Sequence, residues 1–160
     1  MASRGLRRER TWAVGNGSPG YPDRMEYERT VTIDAAPEQV WSLVADPASL
    51  PAWLVRTTEA DSPGPDLVHL TRETEGHPYE LEGLFRAQPE QRRVEWGSRG
   101  VGDYAGWLQI ADAGEGRCSV TLHLSFLAGQ PEAHGGAPAA AVDTDLARSL
   151  DQLAAACAGV

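Results

Sequence analysis

Two arginines carry the first hint of chemistry. Arg29 falls within the alternation Tyr27, Arg29, Val31, Ile33, and Arg72 follows Leu70 by the same two-residue step. Side chains two apart on a strand share a face, so each guanidinium stands among apolar neighbours and needs an acceptor. That acceptor is either a carboxylate or phenolate of a bound molecule, gripped by two N–H donors, or a neighbouring glutamate reached by snorkelling along the strand. Tyr79, Trp96 and Tyr104 add flat apolar rings whose hydroxyl or indole N–H can orient a polar group. The arginines and the tyrosines are also the groups able to assist a proton transfer, but no spacing among them marks a catalytic set.

Other chemistries find little support. His69 and His123 fall singly on separate strands in outward phase, while His77 and His134 lie in turn and connector segments. No His-x-x-x-His, Cys-x-x-Cys or carboxylate cluster has ligand spacing, so neither a metal nor a cofactor is expected. Ser98, Ser119 and Ser125 lack the Gly-x-Ser-x-Gly elbow of an activated nucleophile. Gly97, Gly100 and Gly102 sit in a strand-to-strand connection with no helix start behind them, so turn geometry explains them better than phosphate binding. No catalytic residue is assigned.

The elements that must position these side chains follow from periodicity. Val142, Leu146, Leu150, Leu153 and Cys157 recur at helical spacing on one face, with Pro138 as a start signal and Gly159 as a stop. Between Glu26 and Phe126 the pattern is instead one of short strands with a single helical interruption. The first strand carries Tyr27, Arg29, Val31 and Ile33 on one face. Pro37 then opens a helix with Val40, Trp41, Leu43 and Val44 on its buried side, Asp46-Pro47 ends it, and a second helical piece runs from Pro47 to Trp53. Strands are predicted over Arg56–Asp61, Leu67–Thr74, Tyr79–Ala87, Arg92–Ser98, Tyr104–Ala111 and Arg117–Phe126. Turn signals separate them, among them Ser62-Pro63-Gly64-Pro65, Glu75-Gly76-His77-Pro78 and Gly114-Glu115-Gly116. Such short links favour an antiparallel meander, and Gly129 to Pro138 reads as a connector into the last helix.

A long amphipathic helix after a run of strands must bury its stripe against the sheet. The sheet face turned toward it would carry Val31, Ile33, Leu70, Tyr79, Leu81, Phe85, Val94, Trp96, Leu108, Ile110, Val120, Leu122, Leu124 and Phe126. This is either ordinary core or, where space remains, the lining of an apolar pocket.

Bulk properties narrow the function classes. The chain has 160 residues and a net charge of −9, and all its basic residues are arginine. Residues 1–24 carry Arg4, Arg7, Arg8, Arg10 and Arg24 against Glu9 and Asp23, so the remainder is more acidic still and unsuited to nucleic acid. That first segment has no periodicity and is expected to be a flexible arm, with residues 25–160 as one domain. Met25 stands where the folded pattern begins and is a candidate true start; Trp12 and Tyr21 argue for an arm that docks on the body. No apolar run is long enough to span a membrane and no signal-peptide pattern opens the chain. Cys118 and Cys157 are expected as buried thiols, and a cytoplasmic location follows from the reducing environment they imply.

Local sequence adds a resemblance. Val31-Thr32-Ile33-Asp34-Ala35-Ala36-Pro37-Glu38-Gln39-Val40-Trp41, then Asp46-Pro47 and Leu50-Pro51-Ala52-Trp53, resembles the opening of the START / pollen-allergen superfamily (SRPBCC), in its bacterial polyketide cyclase/dehydrase and lipid-transport branch. Arg93-Val94-Glu95-Trp96 and Gly116-Arg117-Cys118-Ser119-Val120-Thr121-Leu122 are similar to its later strands. The resemblance covers residues 26–158. It implies an α+β helix-grip fold: a seven-stranded curved antiparallel sheet wrapped around the C-terminal helix, with two short helices after strand 1.

For function, fold and lining together point to a hydrophobic small molecule, such as a lipid, polyketide or aromatic metabolite, held between sheet and helix. Its expected contacts are Tyr79, Leu81, Trp96, Tyr104, Leu108, Leu122, Phe126, Arg29 and Arg72. An alternative is a cyclase or dehydratase using the same cavity. A second alternative is a protein-interaction role akin to chaperone regulators or antitoxins, for which outward Leu84 and Trp107 are the sequence hints. Outward Trp107 is equally well explained by a cover from the arm or from a second subunit. A monomer or homodimer is expected.

Overall fold

A computed structural model of the protein describes residues 10–13, 24–74, 76–98, 104–127 and 136–158. In chain order these form β1 (Arg10–Ala13), β2 (Arg24–Ile33), α1 (Pro37–Val44), a 3-10 turn (Pro47–Ser49), α2 (Leu50–Trp53), β3 (Thr57–Asp61), β4 (Leu67–Thr74), β5 (His77–Gln88), β6 (Arg93–Ser98), β7 (Tyr104–Asp112), β8 (Cys118–Leu127) and α3 (Gly136–Ala158). All strands join one antiparallel sheet in the order β1-β2-β8-β7-β6-β5-β4-β3. From β3 to β8 each strand lies beside its predecessor, as short turns dictate. β2 then pairs with β8, which closes the meander around α3.

β2 to β8 are the seven curled strands of a helix grip. β1 extends them by four residues at the β2 edge, with Arg10 opposite Glu28 and Ala13 opposite Met25. It comes from the segment read as a flexible arm; residues 1–9 and 14–23 of that segment lie outside the described residues.

The core sits between the sheet's inner face and α3. Tyr27, Ile33, Leu70, Phe85, Val94, Trp96, Leu108, Ile110, Val120, Leu122, Leu124 and Phe126 are buried from the sheet. Val142, Leu146, Leu150, Leu153 and Cys157 are buried from α3, all five members of the sequence stripe. Strand alternation and helical repeat thus meet in one apolar cluster.

The short helices close one end. Pro37 fixes the first turn of α1, and Val40 and Val44 turn inward. The Asp46 carboxylate accepts from the Ala48 N–H at 3.0 Å and starts the 3-10 turn, after which Leu50 and Trp53 are fully buried. The Gln39 amide donates to the Cys157 carbonyl at 2.7 Å, so α1 caps the last turn of α3. Arg92 at the β5–β6 turn reaches Glu38 at 2.8 Å and Asp112 at 3.4 Å, tying α1 to the sheet.

Two boundaries differ from the sequence reading. β5 begins at His77, directly after Gly76, whose φ of 81° suits a glycine. Pro78 therefore stands in the strand, near its start, where a missing N–H is tolerated. α3 begins at Gly136, two residues ahead of Pro138, which occupies the first turn.

Candidate functional site

Inside the grip, the expected contact residues Trp96, Leu108, Leu122 and Phe126 come together as tightly packed core. Trp96 meets Trp53 edge to face at 6.1 Å between centroids, and Tyr27 meets Phe126 likewise at 5.9 Å. Gly106 makes the Trp96 position possible: a Cβ there would lie 2.7 Å from the indole and 2.9 Å from Leu124. Trp53, placed by α2, is the interior aromatic that sequence reasoning left out of the site. Its motif Leu50-Pro51-Ala52-Trp53 was the available signal.

The polar expectations divide. Arg29 stands on the inner face opposite Leu122, half-buried, with its Nε screened from solvent. Arg72 donates from Nη1 to the buried Thr57 hydroxyl at 3.0 Å. The sheet order leaves β8, β7, β6 and β5 between their strands, so the two arginines belong to different regions of the face. By register Tyr79 is opposite Arg72, Leu81 opposite Leu70 and Tyr104 opposite Phe126. The side chains of Tyr79, Leu81 and Tyr104 lie outside the described part of the structure.

A cleft of about 320 Å³ opens where α2, the start of β3, the β4–β5 turn and α3 converge, lined by Pro51, Leu54, Val55, Arg56, Thr57, Glu73, Gly76, Arg148 and Gln152. Its wall is built by a sharp junction. After α2 the chain passes through Arg56 with a φ of 68°, an uncommon conformation for a side-chain-bearing residue. Three bonds hold it there. The Val55 N–H donates to the buried Ser149 hydroxyl at 3.0 Å, the Arg56 guanidinium pairs with Asp145 at 2.5 Å, and the Glu73 N–H donates to the Arg56 carbonyl at 2.8 Å. The surface the cleft presents is mainly polar, since Leu54 and Val55 behind it are themselves buried. Arg56, Glu73, Arg148 and Gln152 escaped the sequence reading. Arg148 and Gln152 are four apart, one turn along α3 beside its apolar stripe, and that spacing was the signal.

The outer face has its own features. Leu84 is 47% exposed and Ala105 is also exposed; with Trp107, Gly97, Glu95 and Arg86 they line a shallow, mainly apolar depression, also of about 320 Å³. Trp107 is not bare, however. The Arg93 guanidinium lies 4.1 Å from its ring centroid and His123 stacks on it at 4.9 Å, within the chain itself. Glu28 and Glu26 flank the His123 nitrogens at 2.9 and 3.4 Å. His69 is likewise outward, between Glu80 at 3.1 Å and Asp61 at 3.5 Å, and the hydrogen bond to Glu80 chiefly raises its pKa.

Both cysteines are free, buried thiols. Burial pushes Cys118 up to about 11, helped by the neighbouring Cys157, which burial raises as well. Among the described residues no group of three His, Cys, Asp or Glu could hold a metal ion, and no helix is long and apolar enough to cross a membrane.

Comparison with known proteins bears on this arrangement. The family model described as polyketide cyclase / dehydrase and lipid transport matches residues 24–158. No curated protein sequence matches the chain. Among solved structures, the Zhui aromatase/cyclase of a Streptomyces species is similar at a TM-score of 0.67 and 16% identity, over 84% of this chain and 93% of that one. A START superfamily protein from Mycobacterium smegmatis is similar at 0.62 and 17% identity, over 84% and 94% of the two chains. The di-domain ARO/CYC BexL is similar at 0.64 and 21% identity, over 80% of this chain, which spans only 44% of that protein. At such identities these structures share the fold.

Proposed function

The chain belongs to the polyketide cyclase / dehydrase and lipid transport family, and from that membership we propose that it binds a hydrophobic small molecule between its curled sheet and α3. The molecule would be a lipid, a polyketide or an aromatic metabolite, resting on Tyr79, Leu81, Trp96, Tyr104, Leu108, Leu122 and Phe126. The observation that carries the reading is the continuous apolar inner face that the curled sheet turns toward α3, in a chain matched by that family over residues 24–158. Arg72, which also donates to the Thr57 hydroxyl, and Arg29 would each meet a polar group of the ligand. A cyclase or dehydratase would use the same cavity, and the similarity to two aromatase/cyclase structures supports testing it. In either case binding comes first and chemistry second.

Native mass spectrometry of the purified protein, with organic extraction of anything bound, tests the proposal. The expected result is a discrete added mass that is lost in Trp96→Ala, followed by a turnover assay on the class of compound released. A clean mass that stays unchanged against fatty acids, polyphenols and polyketide mimics would overturn it and turn attention to the apolar depression around Leu84.

A further inference from the structure

We propose that the outer face of the sheet at β5 and β6 is a docking surface for a second copy of this chain. The two copies meet face to face about a two-fold axis parallel to these strands. Leu84 of each lies over Gly97 of the other, and Arg86 of each meets Glu95 of the other.

Alternation places all four residues outward. Leu84 and Arg86 flank buried Phe85 on β5, and Glu95 and Gly97 flank buried Trp96 on β6. Leu84 is the exposed large apolar side chain among the described residues. A lone surface leucine would need no explanation. Beside this one, however, Gly97 has no side chain and exposed Ala105 on β7 has only a methyl group, which leaves the mainly apolar depression of about 320 Å³. A knob thus stands next to a hole. The charges at its border are also available. Arg86 is exposed and makes no hydrogen bond or ion pair with another described residue. Glu95 meets Arg93 through Oε2 at 2.7 Å, and its Oε1 can accept from a second arginine.

Strand register identifies the occupant. Leu84 is the cross-strand partner of Gly97, and Arg86 is the partner of Glu95. A two-fold axis lying in the interface, midway between β5 and β6, exchanges the two strands of one copy for those of the other. It sets leucine over glycine and arginine over glutamate, each twice. One strand further out it sets Leu67 over Ala105, because Leu67 pairs with Leu84 and Gly97 with Ala105. Large meets small and positive meets negative at each of these positions. Neighbouring axes fail: one along β5 brings Arg86 against Arg86, and one along β6 brings Glu95 against Glu95. The same patch therefore specifies both its partner and the orientation. The contact is nonetheless small, drawing on β4 to β7, against the roughly 800 Å² per partner of a standard interface. Two chains of net charge −9 also repel each other. A weak dimer follows.

Sedimentation equilibrium of the full chain tests this. The expected result is a monomer–dimer equilibrium with a Kd on the order of 10–100 µM. Leu84→Asp, at an exposed position where circular dichroism should stay unchanged, is expected to weaken the dimer about tenfold or more. Arg86→Glu and Glu95→Arg should each be monomeric alone, since each sets like charges across the axis. An equal mixture of those two variants should dimerise again, because every charge then meets its opposite. A monomer across the whole range overturns the inference and leaves the depression to a small apolar molecule. A dimer undiminished by Leu84→Asp overturns it in favour of another face. A mixture that stays monomeric, with both variants folded, overturns the two-fold register.

Discussion

Single side chains decide how the interior is filled. Trp96 lies over Gly106 so closely that even a methyl group there would overlap the indole. Gly106→Ala is expected to cost about 1–3 kcal/mol through forced repacking, read as a lowered denaturant midpoint with an unchanged slope. The glycine's role was invisible in sequence, because it depends on which residue of β6 lies opposite, and register is a property of the assembled sheet. The thiols behave differently. Their burial and their lack of a disulfide were legible from the phase of Cys118 in a strand and Cys157 on the helical stripe. With its pKa raised to about 11 from an ordinary 9.0, Cys118 stays protonated near neutral pH and should resist a thiol reagent until denaturant is added. The sign for stability follows from linkage: the folded state holds this proton more tightly. The contribution is therefore complete below pH 9 and is lost as pH rises toward 11. Urea melts at pH 8, 9.5 and 11 would show the decline, and a flat profile would contradict it.

At the scale of elements, the junction from α2 into β3 concentrates most of what was unforeseen. The strands and helices themselves were legible to within a few residues, because alternation, the helical stripe and the Pro and Gly punctuation all agreed. The cleft was not, since its lining joins the α2–β3 junction to the β4–β5 turn and to α3, both distant from it in sequence. Ser149 illustrates the problem: in sequence it is a small polar residue near an apolar stripe, while in the fold it is 1% exposed and accepts the Val55 N–H. Ser149→Ala leaves that buried donor without its acceptor and should cost about 1–3 kcal/mol. Amide exchange should accelerate at Val55 and in the neighbouring turn before it does so in β7 or β8. Equal acceleration everywhere would indicate a global loss of stability instead of a loosened junction.

For the molecule as a whole, the family match begins at residue 24, and β1 adds four residues outside it. A variant lacking residues 1–23 is therefore expected to unfold cooperatively with the same circular dichroism, losing on the order of 1–2 kcal/mol from the missing cross-strand pairs. Its β2 edge would be bare, so self-association at high concentration is the accompanying expectation, measured by sedimentation. The sheet order also sets a timetable. Thr30 of β2 and Thr121 of β8 share a hydrogen bond at 2.8 Å across 91 positions of sequence. A ribosome adding roughly 5–20 residues per second leaves β2 waiting on the order of 5–20 s for that partner strand to be made. The β3–β7 hairpins can zip as they emerge, but Tyr27, Val31 and Ile33 cannot be covered from that side until β8 arrives. During those seconds the nascent chain presents an unfinished apolar trough, and its survival depends on whatever chaperone reaches it before another unfinished copy does.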